Sequence, residues 1–141
     1  MDNKNIKIST EPQDIITIEE SLEHSILSKN VILNDFNNNL TTYIVYYLDN
    51  CPVGYLAYSS CIDHIDIISI AVNPEFRHKK IATSLFNYLQ SNSNNMELFL
   101  EVRKSNAVAI ALYKSLGFEY LSTRNNYYTS PCEDALIYVK K

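Results

Sequence analysis

Three strand-like segments follow one another between residues 41 and 72, and this succession constrains the fold more than any other feature of the sequence. The segments TTYIVYYLDN, VGYLAYSSCI and HIDIISIAV are rich in β-branched and aromatic residues, as strands are. NCPVG, at the junction of the first two, predicts a proline and glycine turn and therefore a hairpin. The third segment ends at Asn73-Pro74, which disfavours further pairing.

The pattern changes after Arg77 to alternating helices and strands. KIATSLFNYLQSN carries its apolar residues on one helical face. MELFLEV is an apolar strand flanked by helices, so we expect it to be central and parallel to a neighbour. SNAVAIALYKSLGF predicts a second helix, capped by Ser105 or Asn106 and followed by Gly117 in the left-handed conformation.

The two ends of the chain complete the pattern. NIKIST alternates apolar and polar residues and predicts a first strand, and residues 14–30 have the apolar spacing of a helix. VILNDFNNNL predicts a second, short helix, and FEYLSTRNNYY and EDALIYVKK predict two final strands. The order predicts an α/β (α+β) fold, in which a mixed, mostly antiparallel sheet of about seven strands has helices on both faces.

Composition limits the class of protein. A chain of 141 residues with 46% hydrophobic residues fits a single domain over residues 1–141. The net charge of −4 argues against a nucleic-acid partner, and no apolar run is long enough to predict a membrane span. Cys51, Cys61 and Cys132 form no C-x-x-C pair, so we expect free thiols in a cytoplasmic protein and no metal site.

Four basic residues stand directly before the helix that begins near Ile81. These residues are Arg77, His78, Lys79 and Lys80. A helix N-terminus has unpaired N–H groups and a partial positive charge, so this loop is a candidate phosphate site. The alternative is a solvated run of charges, although that position ordinarily prefers acids.

The stretch LEVRKSNAVAIALYKSLGF holds a second candidate site. Glu101 lies near a strand end, and Asn106 and Tyr113 are two helical turns apart on one face. A carboxylate and a phenol near one cleft are a plausible base and acid. The residues by themselves also fit a solvated glutamate and a half-buried packing tyrosine.

ISIAVNPEFRHKKIATSLF and LEVRKSNAVAIALYKSLGF, with the order of elements, resemble the GNAT superfamily of acetyl-CoA-dependent N-acetyltransferases. With RNNYY and EDALI, the second half from Ile68 to Val139 is similar to the RimI-type ribosomal-protein-alanine N-acetyltransferases. The resemblance implies acetyl-CoA as co-substrate and the N-terminal α-amine of a ribosomal protein as acceptor. Lysine side chains, small amines such as polyamines, and a non-catalytic acetyl-CoA-binding module remain alternatives.

The resemblance also implies roles for single residues. Glu101 would be the general base, Tyr113 the general acid and Asn106 a coenzyme contact. The strand Ile70, Ala71 and Val72 would pair with the pantetheine arm as an added strand does. The pyrophosphate loop would comprise Arg77, His78, Lys79, Lys80, Ile81 and Ala82, followed by Thr83.

The sequence departs from the family pattern in two places. Lys80 stands where the family has glycine. We expect a helical conformation there with the side chain turned outward, whereas a positive φ would cost about 1–3 kcal/mol. Residues 24–35, HSILSKNVILND, lack the family's aromatic and proline-containing loop, which helps shape the acceptor cleft. Glu133 and Asp134 match an acidic pair suited to a basic peptide, or they simply begin an exposed strand.

Overall fold

One seven-stranded sheet organises the protein in a computed structural model that describes residues 5–141. The strand order is β1-β2-β3-β4-β5-β7-β6, and all neighbours are antiparallel except β4 and β5. This confirms the predicted mixed, mostly antiparallel sheet. The strands are β1 (Ile6–Ile8), β2 (Thr42–Leu48), β3 (Cys51–Ser60), β4 (His64–Val72), β5 (Glu97–Arg103), β6 (Glu119–Thr129) and β7 (Cys132–Lys140).

Four helices cover the two faces of the sheet: α1 (Pro12–Ser21), α2 (Lys29–Asn38), α3 (Ile81–Ser91) and α4 (Ala107–Ser115). Apolar residues of α3 and α4 pack with β4, β5 and their neighbours in one buried cluster. Apolar residues of α1 and α2 pack with β2, β3 and β4 in a second cluster. The prediction of helices on both faces is therefore confirmed. None of the helices between residues 5 and 141 is long and apolar enough to span a membrane.

The helix predicted over residues 14–30 is shorter than expected. It ends at Ser21, so Ile26 and Leu27 lie outside it, in the connection of residues 22–28. The following helix begins at Lys29, where Ser28 accepts a hydrogen bond from the amide of Val31. The prediction was wrong because apolar residues keep a helical spacing past Ser21, whereas the backbone leaves the helix there and the amides of Ile26 and Leu27 donate to the side chain of Glu19.

The turn between β2 and β3 also differs from the prediction. Asp49 and Asn50 form it, with φ values of 49° and 65°. Pro52 and Gly54 lie inside β3 instead, and Pro52 stands beside an irregularity in the pairing with β2. Asparagine and aspartate tolerate the left-handed conformation, and proline is accommodated at such irregularities.

Gly54 allows α3 to lie close to β3. A β-carbon at this position would be 3.0 Å from Cγ2 of Ile81, the first residue of α3. The carbonyl oxygen of Ala71 would be 3.3 Å away on the neighbouring strand. The absent side chain therefore lets the N-terminus of α3 lie directly against the end of β4.

The two parallel strands part halfway along their length. Pairing joins His64–Ile67 of β4 to Glu97–Leu100 of β5 and goes no further. Beyond that point β4 continues beside β3, with an irregularity at Ile68, while β5 continues beside β7. A gap therefore opens in the middle of the sheet, between the carboxyl ends of β4 and β5.

Candidate active site

The end of β4 forms one side of the gap. Ile70, Ala71 and Val72 pair with Leu56, Tyr55 and Gly54 of β3. Along the part of the chain that the structure describes, no strand pairs with their opposite edge. Backbone N–H and C=O groups on such an edge are available to an extended ligand, which can add to it as a strand does.

The basic loop lies between the end of β4 and the start of α3. Lys80 has φ 60° and ψ 27°, so the expected helical conformation is wrong and the position is left-handed, like that of His78 with φ 65°. This backbone costs about 1–2 kcal/mol for a residue with a side chain. Arg77 donates a hydrogen bond of 2.9 Å to Glu23, and the Lys79 ammonium lies 5.9 Å from the centre of the Phe76 ring.

The N-terminus of α3 follows directly. Lys80 supplies no side-chain cap to it, and Ile81 is buried against the sheet while Ala82 and Thr83 are half-buried. Uncapped N–H groups and the helix dipole favour an anion at this position. The geometry thus brings together the basic residues and the helix start that the sequence assigned to one phosphate site.

Glu101 lies where β5 has just left β4. Its side chain is partly exposed in a cavity of about 790 Å³, and its Oε2 is 4.0 Å from Nη1 of Arg124. The cavity lies over β4, β5, β6 and β7. The other side chains that line it include Asp63, His64, Asp66, Ile68, Glu97, Phe99, Leu121, Arg124, Tyr127, Tyr128 and Ile137.

Tyr113 lies on α4 and packs on the face of the sheet that α3 and α4 cover. Its ring packs edge-on against Phe86 and beside Phe118, and only 9% of the residue is exposed. Burial, with a contribution from Tyr128, raises the pKa of Tyr113 to about 12. The phenol is therefore protonated at neutral pH.

Tyr128 is close enough to interact electrostatically with both predicted catalytic residues. It lines the cavity with Glu101. Burial first, and then the charge of Glu101, raise the pKa of Tyr128. Since Tyr128 also contributes to the raised pKa of Tyr113, Tyr128 is within electrostatic range of both residues.

Asn106 caps α4, as predicted. Its Oδ1 accepts a hydrogen bond of 3.1 Å from the amide of Ala109, and Gly117 has φ 95° after the helix end. The exposed Asn106 lies at the N-terminus of α4, whereas Tyr113 is buried further along the same helix.

Comparison with known proteins decides the family. The profile of the acetyltransferase (GNAT) family matches residues 10–118. The chain belongs to this family. It is an acetyltransferase, and acetyl-CoA is its co-substrate.

Several relatives of this acetyltransferase share most of its length. The [ribosomal protein bS18]-alanine N-acetyltransferase of Haemophilus ducreyi is 31% identical over 121 residues, which are 83% of this chain and 82% of that protein. The Escherichia coli protein of the same name is 41% identical over 81 residues, 54% of this chain and 55% of its own. A crystal structure of the ribosomal-protein-S18-alanine N-acetyltransferase from E. coli superposes with a TM-score of 0.80, with 27% identity, over 95% of this chain and 92% of that one.

The acetyltransferase also contains a group of polar contacts around Arg103 that the sequence did not predict. Arg103 donates hydrogen bonds to the carbonyls of Ser130 and Pro131, and its guanidinium pairs with Glu133 at 3.3 Å. Glu133 in turn accepts a hydrogen bond of 2.6 Å from the amide of Ser105, which lowers the pKa of Glu133. These contacts join the β5–α4 loop to the β6–β7 turn.

The acidic pair of residues 133 and 134 is therefore already engaged within the acetyltransferase. Besides the contacts of Glu133, Oδ1 of Asp134 accepts a hydrogen bond of 2.9 Å from the amide of Asn126. Both carboxylates hold backbone of neighbouring segments in place. Arg103 and Glu133 are 30 residues apart in sequence, so no local pattern predicts their contact. The contact forms only when β5 and β7 pair.

One polar cluster lies at the far end of the cavity. His64 contacts Asp63 through Nδ1 at 2.8 Å and Asp66 through Nε2 at 3.3 Å, and the Cys61 thiol donates to Asp66. The hydrogen bond to Asp63 is the main cause of the raised pKa of His64. Because these polar atoms bond to one another, we assign no metal to them. All three cysteines of the chain are free thiols.

Proposed function

We propose that this acetyltransferase, acting as one domain over residues 1–141, acetylates the N-terminal α-amine of a ribosomal protein that begins with alanine. The names of the relatives from H. ducreyi and E. coli support this acceptor. The observation that carries the proposal is the gap between β4 and β5, which leaves the edge of Ile70–Val72 unpaired and has the Glu101 carboxylate on β5 just beyond the last paired residue. We expect the reaction to occur in the cytoplasm, where ribosomal proteins are made.

Acetyl-CoA would bind along the open edge of β4. Its pantetheine arm would pair with Ile70–Val72 in place of the missing strand. Its pyrophosphate would lie against the basic loop and the uncapped start of α3, where the N–H groups and the helix dipole favour negative charge. Asn106, at the start of α4, would contact the coenzyme from the other side of the gap.

Glu101 would accept the proton that prevents the amine from attacking. An α-amine has a pKa of about 7.7–8.0, so most of it is protonated at neutral pH. Glu101, directly or through one water, would remove that proton, and the free amine would form a C–N bond with the thioester carbonyl carbon. Backbone N–H groups at the end of β4 would stabilise the oxyanion.

Tyr113 would complete the transfer. As the C–S bond breaks, the leaving thiolate would take the phenolic proton of Tyr113, which then regains a proton from solvent, and the acylated nitrogen would lose its extra proton to water to give the neutral amide. A thiol has a pKa of about 8.5, so the protonated form is the stable product at neutral pH. Burial raises the pKa of Tyr113 to about 12, so the phenol keeps its proton at neutral pH, and a tyrosinate formed by the transfer would be reprotonated at once.

Mass spectrometry of two peptides tests the acceptor. One copies a ribosomal-protein N-terminus that begins with alanine and has a free α-amine, and the other has a blocked α-amine and exposed lysines. We expect acetylation of the first alone. Modification of the second would move the function to side-chain amines, whose pKa of about 10.4 requires a higher pH.

Glu101→Gln tests the base. We expect turnover to fall by about 10²- to 10⁴-fold, because general base catalysis is lost. Acetyl-CoA binding, measured by calorimetry, should stay nearly unchanged. Full activity of this variant would disprove the assigned role of Glu101 while leaving the acceptor assignment open to the peptide assay.

A further inference from the structure

Glu19 on α1 is a buried carboxylate that the proposed mechanism does not use. Only 6% of the residue is exposed. Oε1 accepts hydrogen bonds from the Ser25 hydroxyl at 2.7 Å, the Ile26 amide at 2.9 Å and the Leu27 amide at 3.2 Å. Oε2 accepts a hydrogen bond of 2.6 Å from the Tyr55 hydroxyl.

Three of these four donors belong to the connection between α1 and α2. Residues 22–28 contain no regular helix or strand, so their amides need partners from elsewhere. Glu19 supplies that partner for Ile26 and Leu27. A buried charge is costly unless hydrogen bonds compensate for it, and here the compensating groups are the backbone of this connection and one phenol.

The connection lies beside the strand proposed to hold the coenzyme. At one end, the Ser69 hydroxyl donates to the oxygen of Tyr55, the residue that Glu19 holds. At the other end, Glu23 pairs with Arg77 at 2.9 Å. Ser69 and Arg77 stand on either side of Ile70–Val72, so Glu19, through Tyr55, and Glu23 connect this segment to both ends of that part of the chain.

The same hydrogen bonds direct the side chains of the connection. Leu27 packs partly against the cluster under α1 and α2, whereas Ile26 is 53% exposed. With its amide held by Glu19, Ile26 offers an exposed apolar side chain on a segment that Glu19 and Glu23 anchor beside the gap. Such a fixed surface can bind an acceptor without first paying an ordering entropy.

We propose that Glu19 is a positioning residue for acetyl transfer, which fixes residues 25–27 beside the gap so that the acceptor peptide binds in register with the thioester. The inference rests on the proposed function. Glu19 contacts neither substrate in this scheme; it acts through the amides of Ile26 and Leu27.

A second tyrosine–carboxylate pair provides a matched control. Tyr43 donates a hydrogen bond of 2.6 Å to Asp35 of α2, the same length as the bond between Tyr55 and Glu19. Asp35 ties its helix to the sheet without a side-chain bond to the amides of Ile26 and Leu27. If Glu19 were only a tether, its substitution would resemble that of Asp35.

The experiment compares Glu19→Gln with Asp35→Asn by steady-state kinetics on the alanine-starting peptide and by hydrogen exchange. Glutamine keeps one acceptor oxygen and loses the other. We expect KM for the peptide to rise about tenfold in Glu19→Gln with kcat nearly unchanged, and faster exchange at the amides of Ile26 and Leu27. Asp35→Asn should leave the peptide KM and the exchange rates of the two amides at the wild-type values. The affinity for acetyl-CoA should be the same in both variants.

An unchanged peptide KM in Glu19→Gln, with only a loss of stability like that of Asp35→Asn, would overturn the inference. If Glu19→Gln does not fold, Ser25→Ala removes one donor to Oε1 and should show a smaller rise in KM; no rise would overturn it equally. If the wild type acetylates neither peptide, the proposed function fails by itself. Exchange at the two amides in Glu19→Ala, which removes both oxygens, then decides, because wild-type rates there would show that Glu19 does not hold the segment.

Discussion

The guanidinium of Arg103 lies over the ring of Tyr128, with its central carbon 4.2 Å from the ring centre. The same guanidinium donates to the carbonyls of Ser130 and Pro131. One side chain at the end of β5 therefore fixes both the β6–β7 turn and a tyrosine of the cavity. A planar, forked cation suits such a combination of stacking and multiple hydrogen bonds, whereas an ammonium does not.

Arg103→Lys should destabilise the protein and weaken catalysis together. We expect the free energy of unfolding, measured in urea, to fall by about 1–2 kcal/mol, and kcat/KM to fall severalfold as Tyr128 loses its support. Arg124→Lys is the control for stability, since Arg124 lies over Tyr127 at 5.2 Å on a more exposed surface. Equal losses of stability in the two variants would contradict the special role of Arg103.

Tyr113→Phe should reduce turnover about 10²-fold, because the proton donor is lost, while the protein stays folded at neutral pH. The raised pKa also predicts a pH dependence of stability. Because the folded pKa of about 12 exceeds the unfolded value of 10.0, the stabilisation is complete below pH 10 and is lost as the pH rises through 12. Urea unfolding at several alkaline pH values should therefore show a shallower decline in Tyr113→Phe.

Tyr58→Phe is the control for Tyr113. Burial also raises the pKa of Tyr58, but the proposed mechanism gives this residue no role. Its substitution should make the alkaline decline shallower and leave turnover unchanged. A comparable loss of turnover in both variants would argue against Tyr113 as the acid.

Lys80→Gly, compared with Lys79→Gly, distinguishes the effect of backbone strain in the phosphate loop from the effect of a lost positive charge. Glycine relieves the left-handed strain at φ 60°, so we expect a gain of about 0.5–1 kcal/mol in the free energy of unfolding. Lys79→Gly removes the same charge next to it and should destabilise, because glycine there only adds freedom to the unfolded chain. Acetyl-CoA affinity should fall by less than about tenfold in each. A Lys80→Gly protein less stable than Lys79→Gly would contradict this account.

Asn106→Ala should lose both a helix cap and a coenzyme contact. The cap is worth about 1 kcal/mol, and Ser28→Ala removes an equivalent cap from α2, where Ser28 accepts from Val31 at 3.2 Å. We expect similar losses of stability in urea but weaker acetyl-CoA binding, by calorimetry, only in Asn106→Ala. Equal coenzyme affinities in the two variants would remove Asn106 from the site.

Local signals were sufficient for the elements that define the fold. α4 was predicted because its cap, its apolar spacing and Gly117 all lie within a dozen residues and agree with one another. β4 was predicted from His64 to Val72 because its apolar run ends at Asn73-Pro74. The basic loop was a candidate from its residues alone, whereas the roles of Glu101 and Tyr113 came from the resemblance to the acetyltransferase family, and all of these roles stay predictions.

Long-range contacts explain what the sequence did not reveal. The end of α1 was missed because Glu19 accepts hydrogen bonds from one hydroxyl and two amides six to eight residues further along the chain, which the periodicity of apolar residues does not indicate. The conformation of Lys80 was missed because a left-handed backbone is unusual for lysine, and no local pattern in the sequence predicts it there. The gap itself depends on four strands at once, since β4 continues beside β3 while β5 continues beside β7.

The close contact between Gly54 and Ile81 limits the substitutions that relatives can accept at these two positions. A methyl group on Gly54 would lie 3.0 Å from Cγ2 of Ile81 and 3.3 Å from the carbonyl oxygen of Ala71, so a larger residue on β3 would crowd the start of α3. We expect the two positions to vary together among relatives, the loss of glycine at one accompanying the loss of the branched side chain at the other. The position of the phosphate loop would then depend on two residues that are 27 apart in sequence, Gly54 on β3 and Ile81 at the start of α3, and not on the loop motif alone.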